Sequence, residues 1–100
     1  MSSDLRDYEM TVIANPTLDE EALAALNQKI TGWITGANGT VAKVDTWGKR
    51  SLMYAIKRQT DGIYEVFTFQ MEPVAARELD RSLRLEEQVI RHLVIRLDEK

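Results

Sequence analysis

The sequence contains no cysteine, so it can build no disulfide framework, no thiolate zinc site and no thiol nucleophile, a composition that suits a reducing compartment. It has a single histidine, His92, with no second histidine or cysteine near it in sequence to suggest a metal ion. No serine is placed to act as a nucleophile, and no glycine-rich phosphate cradle is present. No apolar run approaches the ~20 residues that a membrane span requires, and the start, Met1-Ser2-Ser3-Asp4-Leu5-Arg6-Asp7, lacks the apolar core of a secretion signal. Repeats and low-complexity linkers are absent as well. The expectation is a soluble, cytoplasmic chain without cofactor, metal, catalytic residues, membrane contact or small-molecule substrate. Its 100 residues fit one domain, 1–100, with a single hydrophobic core.

Positive charge is in slight deficit: 13 lysines and arginines stand against 16 carboxylates, for a net charge of −3. A protein that coats nucleic acid draws on many cations to neutralise phosphates, so this balance argues against that role while leaving room for a local contact. One stretch breaks the balance. Between Thr46 and Thr60 the chain carries Lys49, Arg50, Lys57 and Arg58 and no carboxylate. Leu52, Tyr54 and Ile56 recur there every second position, the period of a strand with one buried face. Gly48 interrupts the pattern, as glycine does at a bulge or a close backbone approach. Two readings fit these residues: an exposed hairpin kept soluble by edge cations, or a basic, aromatic arm that meets nucleic acid or a protein partner.

In chain order, residues 8–14 alternate, with Tyr8, Met10, Val12 and Ala14 on one side, and Asn15-Pro16 ends this first strand. Thr17-Leu18-Asp19-Glu20 fits a capping box, with acidic residues at the positive end of the following helix. Leu23, Leu26, Ile30, Trp33 and Ile34 form its apolar stripe, and Gly36 with Asn38-Gly39 closes it. A second strand runs from Thr40 to Trp47 and leads into the basic arm, after which Gln59-Thr60-Asp61-Gly62 reads as a turn. Residues 63–71 give the strongest strand signal, with Phe67, Phe69 and Met71 on one face and Tyr64, Val66, Thr68 and Gln70 on the other. Pro73 opens a second helix with Ala76, Leu79 and Leu83 inward and Arg77, Arg81 and Arg84 toward solvent. The last strand, Gln88 to Leu97, places Val89, Leu93, Ile95 and Leu97 on one side and His92, Val94 and Arg96 on the other. Asp98-Glu99-Lys100 forms a short end without an acidic or basic tail.

This order predicts an α+β, ferredoxin-like split β-α-β fold (βαββαβ), a four-stranded antiparallel sheet with two helices on one face and the other face open. RNA-recognition domains, small-molecule sensors and a few enzymes share that geometry, so the fold alone does not select a function. Stacking of RNA bases on the open face would need two or three aromatics, and Tyr64 is the clear one. A regulatory or ligand-sensing dimerisation domain is the alternative. It would need a glycine-lined pocket after the first strand, and Asn15-Pro16-Thr17 offers none.

The run Trp47-Gly48-Lys49-Arg50-Ser51-Leu52-Met53-Tyr54-Ala55-Ile56-Lys57 resembles the signature of the bacterial small-subunit ribosomal protein six family. Gly48, Arg50, Leu52, Tyr54, Ile56 and Lys57 match it, while Ser51, Met53 and Ala55 depart from it without removing charge or aromatic. The resemblance extends from Tyr8-Glu9 and Pro16 through Tyr64 and Glu72-Pro73 to Val89-Ile90-Arg91 and Arg96. It implies a structural protein that joins a basic heterodimer partner, ribosomal protein eighteen, and binds the central domain of small-subunit ribosomal RNA. It further implies that Arg6, Arg50, Tyr54, Arg91 and Arg96, with Lys49 and Lys57 beside them, approach RNA phosphates or the partner. Some relatives carry a modifiable acidic extension, and nothing of it transfers to a chain that stops at Lys100.

Overall fold

Alternating apolar residues need a common layer to bury them, and here that layer lies between one sheet and two helices. The computed structural model describes residues 4–97, so the short end Asp98-Glu99-Lys100 and the start Met1-Ser2-Ser3 lie outside the described residues. Strand β1 (Arg6–Ala14) is followed by helix α1 (Glu20–Gly36), strands β2 (Thr40–Ile56) and β3 (Gln59–Met71), helix α2 (Pro73–Leu85) and strand β4 (Val89–Arg96). The strands lie in the order β2-β3-β1-β4 with every neighbouring pair antiparallel. This is the ferredoxin-like split arrangement anticipated from the sequence.

Tyr8, Met10, Val12 and Ala14 of β1 point into the core and meet Phe67, Phe69 and Met71 of β3. Met10 stands opposite Phe67, and the Tyr8 and Phe69 rings stack with centroids 5.5 Å apart. Leu26, Ile30 and Ile34 of α1 and Ala76, Leu79 and Leu83 of α2 close the layer from the same side. Full burial of each large apolar side chain contributes roughly 1.5–3 kcal/mol, which makes this layer the main source of stability.

Four local features differ from the sequence expectation. The cap of α1 is Asp19, whose carboxylate accepts the Ala22 N–H at 2.8 Å. Thr17 is instead held by the Asn15 side chain, to which its backbone N–H and hydroxyl donate at 3.0 and 2.8 Å. With alanine three residues after the cap, no reciprocal capping box forms.

The chain reverses at Lys57-Arg58, not at residues 59–62. Both residues hold positive φ, 51° and 68°, the primed-turn conformation whose twist matches a hairpin, and Ile56 pairs with Gln59 across it. Gly62 misleads the turn reading because its smallness serves another purpose: a Cβ there would sit 2.2 Å from Ile13 Cγ2.

A bulge opposite Ile13 and Ala14 resets β4. Val89 faces Ala14 and Arg91 faces Ile13, leaving Ile90 as the extra residue. Val89 therefore joins the core, and Leu93 and Ile95, grouped with it by parity, lie on the open face. His92 and Val94 turn toward the helices. Finally, Arg6 is the first residue of β1 and does not precede it.

Candidate functional site

The β2–β3 hairpin outruns the rest of the sheet. The last β1 residue, Ala14, pairs with Ile63, so the hairpin beyond that point has no neighbour on its β1 side. Of the three register shifts in its pairing, two lie toward the turn. Trp47 is bulged out between Thr46 and Gly48, and Gly48 takes φ +87°, a backbone conformation that glycine adopts without steric cost. Farther along, Ser51 pairs with Asp61 and Ile56 with Gln59, so Leu52, Met53, Tyr54 and Ala55 stand against Thr60 alone. The hairpin folds back across the open face. Tyr54 of β2 thereby accepts a hydrogen bond from Arg91 Nη1 of β4 at 3.2 Å, although the two strands form opposite edges of the sheet.

The fold-over encloses a groove of about 300 Å³. Thr11, Ile13 and Tyr64 line its sheet side, Leu52 and Ile56 its hairpin side, and Arg91 with Leu93 its β4 side. Ile13 and Val66 are buried on this face, opposite the helices, whereas Leu93, Ile95 and Leu97 remain exposed along the β4 edge. The same face carries Asp7, Glu9 and Asp45 away from the hairpin, with Lys43 bridging to Asp45 at 3.4 Å. One sheet face thus presents an apolar strip, an acidic end and a cationic end.

Five of the seven residues singled out from the sequence gather at the hairpin end. Lys49 and Arg50 are exposed on β2, Arg50 stacks its guanidinium 5.4 Å from the Trp47 ring, Lys57 occupies the turn, and Tyr54 meets Arg91. Arg6 and Arg96 lie at the far end of the sheet. Arg6 pairs with Asp4 at 2.5 Å, and Arg96 stands opposite Tyr8, on the helix side and away from the groove.

Three features had no sequence signal, or a misleading one. Glu65 on β3 is fully buried, its carboxylate accepting from Asn27 Nδ2 at 2.7 Å and Thr46 Oγ1 at 3.1 Å. Its other oxygen and Asn27 Oδ1 have no partner. The alternation of β3 could have placed Glu65 inward, beside Phe67. His92 lies 2.7 Å from Asp80 of α2, and Arg84 pairs with the same carboxylate. These two partners hold the Asp80 carboxyl below its usual range against a smaller opposing effect of burial. Lys29 of α1 does the same for Glu86, bonded at 2.6 Å, and so ties α1 to the turn after α2. Among the described residues no group of three or more histidines and carboxylates is arranged to hold a metal ion.

The family model described as Ribosomal protein S6 matches residues 7–96. A protein named small ribosomal subunit protein bS6 from Symbiobacterium thermophilum is 48% identical over 92 residues, covering 92% of this chain and 97% of that protein. One of the same name from Streptomyces griseus is 44% identical over 92 residues, covering 92% and 96%. The crystal structure of 30S ribosomal protein S6 from Thermotoga maritima superposes with a TM-score of 0.87 at 28% identity, over 94% of this chain and 89% of that one. The C-terminal domain of the MgtC protein from Mycobacterium tuberculosis, at 15% identity and a TM-score of 0.65 over 99% and 95% of the two chains, shares the fold alone. With its family match running almost end to end and relatives this similar over more than nine-tenths of both chains, the chain belongs to the ribosomal protein S6 family of the small ribosomal subunit and is not an enzyme.

Proposed function

We propose that this chain is a cytoplasmic structural protein that binds the central domain of small-subunit ribosomal RNA jointly with a basic partner, ribosomal protein eighteen. The observation that carries the reading is the hairpin fold-over, which concentrates Lys49, Arg50, Lys57 and Arg91 at one end of an apolar sheet face. Cations clustered on an otherwise acidic chain supply a local phosphate contact. The exposed Leu93, Ile95 and Leu97 give a protein partner an apolar surface to cover, and Asp7, Glu9 and Asp45 on the same face complement a basic one. In this arrangement Arg50, Lys49, Lys57 and Arg91 serve RNA, Tyr54 holds the hairpin in place, and Arg6 and Arg96 serve the far end. No helix among the described residues is long and apolar enough to cross a membrane.

The test is binding to a central-domain fragment of the RNA, with and without the partner, at two salt concentrations. Tight binding only with the partner is the expected result, and each phosphate contact made by this chain adds about 0.9 to the salt slope. Absence of binding in both cases would remove the ribosomal RNA reading.

A further inference from the structure

A second cationic surface lies on the other side of the molecule. Helix α2 exposes Arg77, Arg81 and Arg84 at i, i+4 and i+7, which aligns them along one stripe over about 10 Å. Arg84 is engaged by Asp80, but Arg77 and Arg81 have no acidic partner among the described residues, although Glu78 lies three positions before Arg81. Like charges one turn apart weaken a helix by a few tenths of a kcal/mol, so an unneutralised pair favours an external anion. The stripe borders a groove of about 700 Å³ whose other wall is Tyr8 and Val94 of the sheet, beside the edge strand β4; Asp80 also lines it, its carboxylate held by His92 and Arg84. Arg96, opposite Tyr8 in register, shares that face.

We propose that the groove between α2 and β4 is a second RNA contact, in which Arg77 and Arg81 bind consecutive phosphates of one strand. Arg77 and Arg81 are four residues apart, about 6 Å along the helix axis, which places the two guanidinium groups within reach of neighbouring phosphates of one strand. The inference rests on the RNA-binding reading above and extends it: the chain holds one RNA segment at the hairpin and another against α2. Arginine suits this task because its guanidinium grips phosphate oxygens in pairs.

The experiment compares the wild-type chain, bound with its partner to the central-domain RNA fragment, with the double variant Arg77→Ala, Arg81→Ala across a salt series. The expected result is a log–log slope lower by about 2, with circular dichroism and melting temperature unchanged. Photo-crosslinking of the assembled wild-type complex should yield RNA adducts on the α2 peptide in addition to those on the hairpin. Wild-type binding with an unaltered slope in the variant and no α2 adduct overturns this proposal alone. Failure of the wild-type chain to bind overturns both readings. Loss of partner binding in the variant when RNA is absent assigns the stripe to a protein contact and overturns the phosphate assignment.

Discussion

Tyr54 and Arg91, 37 residues apart and on opposite edge strands, share a hydrogen bond of 3.2 Å across the open face of the sheet. That contact turns a projecting hairpin into one wall of a groove. Tyr54→Phe removes the acceptor and nothing else. Because Tyr54 is 63% exposed, global stability should fall by less than about 1 kcal/mol. Amide exchange between residues 49 and 61 should accelerate while the β1–β3 core amides keep their protection. Equal acceleration in both regions would mean that the hairpin and core open together.

Gly62 sets how closely the hairpin approaches β1, since a Cβ there meets Ile13 Cγ2 at 2.2 Å. Gly62→Ala should cost about 1–3 kcal/mol in denaturant unfolding and move the resonances of Ile13, Tyr54 and Arg91. Gly48→Ala should destabilise for a different reason, the positive φ, because a Cβ there would meet no atom. A neutral Gly62→Ala would show that the hairpin bends at Gly48 alone.

The buried Glu65 carboxylate leaves one oxygen without a partner, and Oδ1 of Asn27, whose Nδ2 donates to the other oxygen, is unpartnered as well. Glu65→Gln keeps an acceptor for Asn27 Nδ2 and Thr46 and adds a donor where both orphans are acceptors. The variant should gain about 1 kcal/mol, read as a higher melting temperature. Glu65→Ala should lose stability, because Asn27 and Thr46 then lack their acceptor. A destabilised Glu65→Gln would indicate that the carboxylate is held by a donor outside this network.

Asp80 and Glu86 should lend stability that is lost in acid. Both carboxyls are held below their ordinary values of 3.8 and 4.5, Asp80 chiefly by His92 and Glu86 chiefly by Lys29. A depressed folded pKa lends stability that is fully present above the unfolded value and is lost as pH falls through the folded one. Unfolding free energy should therefore be flat in this respect above about pH 5 and decline below pH 4. Asp80→Asn should flatten part of that decline. Its persistence in an Asp80→Asn, Glu86→Gln double variant would place the acid sensitivity elsewhere.

Much of the fold was legible because its periods are clean. The alternation of Tyr8, Met10, Val12 and Ala14, the stripe of Ala76, Leu79 and Leu83, and the glycine beside the Trp47 bulge of β2 each find their expected place. Local signals failed where two sites competed for one residue type. Asn15 captured Thr17, which moved the helix cap to Asp19, and Gly62 advertised a turn while serving a close packing contact. The bulge at Ile90 reversed the parity of β4, which no period in an eight-residue strand reveals. The basic stretch named the residues of the candidate site but not their arrangement. Long-range meetings such as Tyr54 with Arg91 and Asp80 with His92 depend on how the hairpin bends and how α2 docks, and neither is written in local spacing.

The central claim is that the open sheet face receives the protein partner while the hairpin cations face RNA. It is tested most directly by mapping amide shifts of the isotopically labelled chain during titration with unlabelled ribosomal protein eighteen. The account predicts that the largest changes fall on Thr11, Ile13, Tyr64, Leu93 and Ile95. Changes confined to the outer faces of α1 and α2, or none at saturating partner, would contradict it.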